Sequence, residues 1–166
     1  MECVIWTGSV NYGRPMYYRN RRQVFPQRET LAGKLGRALT RNEYSVLTCK
    51  NPLCVSGDHI ALTGSPEHFW SLVDMDDDPN KCGLWTGAVA THGYGYFHPD
   101  IPGRPPGRKP RVMAHRVAWT LTFGSEPGEL TVDHLCRVKL CQNARHMELV
   151  TLGENARRAQ AYRASH

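Results

Sequence analysis

Apolar residues come in short alternating or helically spaced groups along this chain, and never in long runs. The clearest alternation is L-T-V-D-H-L over Leu130–Leu135, which predicts a short strand. The clearest helix start is Thr151-Leu152-Gly153-Glu154, a capping box with Thr151 as N-cap and Glu154 at N3. It predicts a helix from about Leu152 to Ala164, with Asn155 in its first turn. Two further helices are expected over roughly Glu29–Leu39 and Ala114–Phe123. Gly124–Glu129 reads as a turn, and so does Met75–Lys81, where Asp76-Asp77-Asp78 is followed by Pro79 and Asn80. No apolar run approaches the ~20 residues of a membrane helix. MECVIWTGSV lacks a basic segment leading into an apolar one, so no secretory signal is read. The expectation is a soluble intracellular protein whose thiols stay reduced and bind metal.

The pattern of elements repeats, and so does the cysteine spacing. Cys49, Cys54 and His59 read C-x4-C-x4-H, and Cys136, Cys141 and His146 read the same. About fifty residues ahead of each triplet stands one more cysteine: Cys3 opens CVIWTG and Cys82 opens CGLWTG. Trp6–Gly8 recurs as Trp85–Gly87, and Tyr12-Gly13 as Tyr94-Gly95. The two sets use all six cysteines. Cys3, Cys49, Cys54 and His59 are therefore expected to hold one zinc ion, and Cys82, Cys136, Cys141 and His146 a second. Four protein ligands close the shell and leave no position for substrate, so both sites are read as structural. Buried free cysteines would not produce the repeat, and disulfides would leave the repeated histidine without a reason. The expected division is two repeats, 1–75 and 76–166. Each is too small for a large core, and a structural metal offsets that.

Charge adds a partner. The 166 residues carry a formal +6, with pI ≈ 9.1. Arg14, Arg19, Arg21, Arg22 and Arg28 lie in one stretch without acids, and Arg104, Arg108, Lys109, Arg111 and Arg116 in another. Each stretch sits between the lone cysteine and the triplet of its half. Two basic ribbons in equivalent places suggest a surface that follows a polyanion.

One constellation occurs only once. Asp133-His134 precedes Cys136, and Asn155 opens the capped helix. Alternation puts His134 on the same strand face as Cys136, so the zinc ligand would fix the backbone that aims it. The helix start is the end that favours anions. A carboxylate, an amide oxygen and a phosphate suit Mg²⁺, and a neutral histidine beside them can take a proton from an attacking water. That set is what metal-assisted phosphodiester hydrolysis needs.

The run VDHLCRVKLCQNARHMELVTLGEN, with CGLWTG and AHR upstream, resembles the zinc-containing His-Me finger endonucleases, the HNH and His-Cys box homing nucleases. The resemblance covers most of residues 82–160, and more faintly 3–69. It implies an α+β fold of tandem ββα-metal units, each with a Cys3His zinc site. In it a β-hairpin and a helix clasp one divalent ion. His134 matches the general base, Asn155 the metal-binding residue of the helix, and Asp133 the acidic metal ligand of many members. The basic ribbons resemble the family's DNA-reading sheet, with Arg116 as a phosphate contact. The implied activity is a Mg²⁺-dependent endonuclease acting on double-stranded DNA, as a monomeric pseudo-dimer or a homodimer. The alternative is a zinc-stabilised nucleic-acid-binding protein without catalysis. The first half departs from the pattern at the chemistry: Val46 and Leu47 stand opposite Asp133 and His134, and His68 opposite Asn155. It is expected to bind DNA with a dead site.

Overall fold

The computed structural model describes residues 2–40, 43–49, 51–99 and 110–165. Arg104, Arg108 and Lys109 lie outside them. Helices and short strands are mixed, and every sheet among the described residues is a two-stranded antiparallel pair. The chain forms two compact units, one containing Met1–Ser71 and the other containing Leu72–His98 and Pro110–His166.

In the first unit β1 (Val10–Asn11) pairs with β2 (Arg14–Pro15), and β3 (Tyr17–Arg19) with β4 (Arg22–Val24). Helix α1 (Pro26–Leu35) follows. Then β5 (Ser45–Leu47) and β6 (Ile60–Leu62) form a hairpin around the first Cys-x4-Cys-x4-His run, and α2 (Pro66–Ser71) closes the unit. Helix α1 starts three residues ahead of the sequence expectation and ends four earlier. Proline tolerates the first helical position because its missing N–H has no partner there anyway, and Pro26 takes it. Gly36, at φ 65°, stops the helix in the left-handed conformation.

In the second unit β7 (Val73–Asp74) pairs with β8 (Leu84–Trp85), and β9 (Tyr96–Phe97) with β10 (Val112–Met113). Helix α3 (Ala114–Phe123) also ends at a left-handed glycine, Gly124. β11 (Thr131–His134) and β12 (Met147–Val150) form the hairpin around the second run, and α4 (Leu152–Ala164) follows. β11 falls inside the alternating Leu130–Leu135 segment, and α4 spans the residues that the capping box marks. Thr151 Oγ1 accepts from Glu154 N at 3.2 Å, while the Glu154 carboxylate turns to Arg157 and Arg158. Within Met75–Lys81, Asp76 and Asp78 accept amides two residues on, at 3.0 and 2.9 Å, which bends the chain after β7.

The W-T-G runs have a steric cause. Each indole folds back over its own turn: Trp6 Nε1 donates to Ser9 O at 2.9 Å, and Trp85 Nε1 to Ala88 O at 3.0 Å. A Cβ on Gly8 would stand 2.6 Å from Trp6 Cζ2, and one on Gly87 2.5 Å from Trp85 Cζ2. Only glycine fits under the ring. Gly87→Ala should lose about 1–3 kcal/mol, the usual cost of overpacking. Urea unfolding of the zinc-loaded protein measures it.

The Tyr-Gly recurrence is corrected. Met16 N bonds Ser9 O at 2.9 Å and Tyr96 N bonds Ala88 O at 3.0 Å, so Met16 corresponds to Tyr96 and Arg14 to Tyr94. Tyr12 and Gly13, at φ 47° and 75°, form the β1–β2 turn, whereas Tyr94 lies past the Gly93 turn and points inward. The second unit's turn is one residue longer, and the dipeptides match only in letters.

Candidate active site and metal centres

In each unit the lone-cysteine arm lies antiparallel to the zinc loop. Ile5 bridges Cys54, and Leu84 bridges Cys141. Trp6 N donates to Leu53 O at 2.9 Å, and Trp85 N to Leu140 O at 2.8 Å. These contacts bring a cysteine from about fifty residues upstream to the triplet. The ligand atoms of Cys3, Cys49, Cys54 and His59 all lie within 4.8 Å of one another, as do those of Cys82, Cys136, Cys141 and His146. His59 Nδ1 is 3.4 Å from Cys3 Sγ and 3.5 Å from Cys54 Sγ. His146 Nδ1 is 3.5 Å from both Cys82 Sγ and Cys141 Sγ. Tetrahedral zinc with its ordinary Zn–S and Zn–N bonds sets such S···N edges at about 3.5 Å. Donor set and spacing therefore fit zinc, and both Cys3His clusters could hold it.

Two of the ligand thiols, Cys3 and Cys141, hold their protons more tightly than a free thiol. The Cys3 thiol goes up to about 11, chiefly through its bond with Cys54, and burial pushes Cys141 up to about 12. Zinc must displace those protons, so binding weakens as pH falls. Asn143 supports the second cluster by donating to Pro79 O and Lys81 O, both at 2.8 Å, which ties the Cys82 arm to the loop.

Beside the second cluster lies a cleft of about 390 Å³. β11 supplies Val132, Asp133 and His134, the zinc loop supplies Arg137 and Lys139, and α4 supplies Asn155, Ala159, Tyr162 and Arg163, with Tyr94 completing it. The three residues Asp133, His134 and Asn155 thus share one cleft. His134 and Asp133 are buried, at 5% and 4% exposure. His134 Nε2 meets Cys141 O at 3.1 Å, and a carbonyl only accepts, so Nε2 carries the proton. A neutral ring then leaves Nδ1 with a bare lone pair, the form a general base needs. Burial holds the His134 pKa below the usual histidine value, which keeps the ring neutral near pH 7.

Two arginines hold Asp133. Arg137 Nη1 is 3.1 Å from Oδ1 and Arg158 Nη1 is 3.3 Å from Oδ2. Arg158 also binds Glu148 at 2.6 Å and Glu154 at 2.8 Å. A carboxylate has about four lone-pair sites, so these bonds leave room for a cation. An oxygen of Asp133 and the Asn155 amide are hard donors of the kind Mg²⁺ takes alongside water and phosphate.

Two aromatic neighbours, His115 and Tyr94, flank the base. His115 stands edge-on to His134, ring centroids 5.1 Å apart at 80°. Tyr94 lies 5.3 Å from His115 and 6.0 Å from His134. Burial, then the nearby charges of His134, Arg116 and His92, push the His115 pKa down to about 3.

The basic residues divide. Arg14, Arg21 and Arg22 are exposed, the last two at the β3–β4 turn. Arg19 is exposed too but is paired with Glu29 at 2.8 Å. Arg111 lies over the Tyr96 ring at 3.9 Å. Arg116 is committed elsewhere: it donates to Leu130 O at 2.9 Å and Gly128 O at 2.7 Å, pinning the turn after α3. Arg28 does the same in the first unit, reaching Leu39 O at 3.1 Å and Thr40 O at 2.6 Å. Sequence reasoning missed Arg137, Lys139, Arg158 and Arg163 around the cleft. The Glu154–Arg158 spacing of four on a helix was the one available signal.

Among the described residues the first unit has no equivalent set. Leu47 pairs with Ile60 as His134 pairs with Met147, and Val46 pairs with Ala61 as Asp133 pairs with Glu148. His68 is used locally: its N–H donates to Ser65 Oγ at 3.2 Å, and its Nδ1 accepts from Gly64 N at 2.9 Å. Counted from these caps, His68 stands opposite Glu154, and the buried Phe69 stands opposite Asn155.

Comparison with known proteins points the same way over part of the chain. Residues 112–157 match the family described as HNH endonuclease, which supports an HNH-type nuclease family for this chain. That stretch contains Asp133, His134, Asn155 and the second zinc triplet. A 56-residue stretch, 34% of the chain, is 32% identical to an uncharacterised gene 5.3 protein of Enterobacteria phage T3 and covers 55% of it. The chain thus spans about half the length of this curated relative. No solved structure matches. Among the described residues no helix is long and apolar enough to cross a membrane.

Proposed function

We propose that the chain, HNH-type in its second unit, is an endonuclease that hydrolyses phosphodiester bonds of double-stranded DNA at one Mg²⁺-dependent site. The observation that carries this reading is His134: a buried neutral imidazole with Nε2–H fixed on the Cys141 carbonyl, in one cleft with Asp133 and Asn155. His134 accepts the proton of the attacking water at Nδ1. Asp133 and Asn155 would hold the divalent ion. When bound, that ion would supply charge neutralisation at the phosphate and the leaving oxygen. Arg137, Lys139 and Arg163 add positive charge at the cleft and draw the phosphate in.

The two units, parted between Ser71 and Leu72, read as copies of one ββα-metal repeat, with zinc as the structural metal of each. Support comes from the equal order of hairpin, ligand loop and helix, and from the paired Arg28 and Arg116. The first unit keeps zinc and the exposed Arg14, Arg21 and Arg22 but lacks a base, so it serves as a DNA-binding half. The alternative, a zinc-stabilised binder without catalysis, shares the basic surface but gives His134 no task. Plasmid DNA incubated with protein and Mg²⁺, then with EDTA in excess of Mg²⁺, separates the two. Cutting that stops with EDTA fits the enzyme. Retention of DNA without cutting, at any divalent ion tried, fits the binder.

A further inference from the structure

The two units satisfy the same carbonyl from different places. In the second, Cys141 O receives His134 Nε2 at 3.1 Å. In the first, Cys54 O receives Gln27 Nε2 at 2.9 Å, and the same amide reaches Pro52 O at 3.0 Å. Leu47, at the position of His134, offers no donor. Gln27 is the second residue of α1, and His115 is the second residue of α3. His115 therefore occupies the place from which a longer polar side chain reaches the ligand-loop carbonyls. It does not reach them: its Nδ1 is buried and has no hydrogen-bond partner among the described residues. Leaving a buried nitrogen unpaired is destabilising, so packing alone would favour a different residue. What the ring does is stand edge-on to His134, with Tyr94 against both.

We infer that His115 is the positioning residue of the base: its ring walls His134 into the one orientation that gives Nε2–H to the Cys141 carbonyl and leaves Nδ1 for the water. The inference rests on the nuclease reading for its catalytic meaning, but the orientation is a property of the protein alone. Two features of the residue matter. It must be a flat ring of this size, because a small side chain would let His134 turn. It must not carry a donor that straddles the ligand-loop carbonyls as Gln27 does, because that donor would evict His134.

The test uses the zinc-loaded full chain with ¹⁵N-labelled histidine. Imidazole nitrogen shifts report which ring nitrogen of His134 carries the proton. The native protein and His115→Phe should show a single Nε2–H tautomer. His115→Ala and His115→Gln should show a mixture or the Nδ1–H form, with zinc content retained. Plasmid cleavage should follow: kcat within a few fold of native for the Phe variant, and down by about 10²-fold for Ala and Gln, the size of effect a misplaced group gives. KM for DNA should stay put. A folded Phe variant that loses the Nε2–H tautomer overturns the inference, as does an Ala or Gln variant that keeps it. Should the Gln variant fail to fold, the Ala and Phe pair decides. If the native protein cuts no DNA, the nuclease reading falls, and the tautomer pattern still decides the role of His115.

Discussion

Replacing His134 with alanine should lower DNA cleavage by about 10²–10⁴-fold, the usual reach of general-base catalysis. DNA affinity should be unchanged, because the ring is buried and its Nε2 bonds the Cys141 carbonyl. Zinc content should also hold, since all four ligand side chains of the second cluster are kept. Gel-shift binding, metal analysis and plasmid cleavage on the same preparation check all three. Asn155→Ala should behave differently: activity returns as Mg²⁺ is raised, because the variant weakens the ion's seat and leaves the base. A His134→Ala protein that cuts at the native rate would remove the assignment of the base.

The second large effect concerns zinc. Cys141→Ser should unfold the second unit at ordinary temperature. Structural zinc sites contribute on the order of 10–16 kcal/mol in small zinc-dependent peptides, which matches or exceeds the whole stability of a typical domain, about 5–15 kcal/mol. Cys141 is fully buried and is also the residue whose carbonyl holds His134, so fold and site fail together. Elemental analysis of the native protein should find two zinc ions per chain, as the two closed clusters require. Calorimetry before and after a strong chelator measures the coupling. Cooperative melting of the metal-free chain at the native temperature would show that the clusters do not hold the fold.

The elements that were legible in the sequence have local causes. The Thr151 cap, the left-handed glycine after α3 and the alternation in β11 each act within a few residues. The two Cys3His clusters were legible because a tetrahedral metal site needs four thiolate or imidazole donors and the chain supplies them twice. The cleft was legible only in part. Asp133 and His134 adjoin a ligand, and Asn155 follows a cap, so their meeting could be argued. Arg137 and Arg158 on Asp133, and His115 and Tyr94 on His134, meet through tertiary packing that no spacing announces. Arg116 was read as a phosphate contact because it opens a helix in a basic stretch. Its guanidinium goes to the Gly128 and Leu130 carbonyls because the turn after α3 folds back over the helix start. The Tyr94-Gly95 match failed for a related reason: one extra turn residue shifts the register, which letters alone do not reveal. Helix α1 was placed late because Pro26 was not credited as its first residue.

The central claim is one live site per chain, in the second unit. Its most direct measurement follows supercoiled plasmid through open-circular to linear form against protein concentration, while mass in solution is measured on the same sample. With Leu47 and Val46 where a base and an acid would stand, a monomer should give open circles at first order in protein. Linear product should appear only with dimerisation or a second nearby nick. Linear product formed directly at first order by a proven monomer would contradict the account, since it requires a second cutting site or two cuts before release.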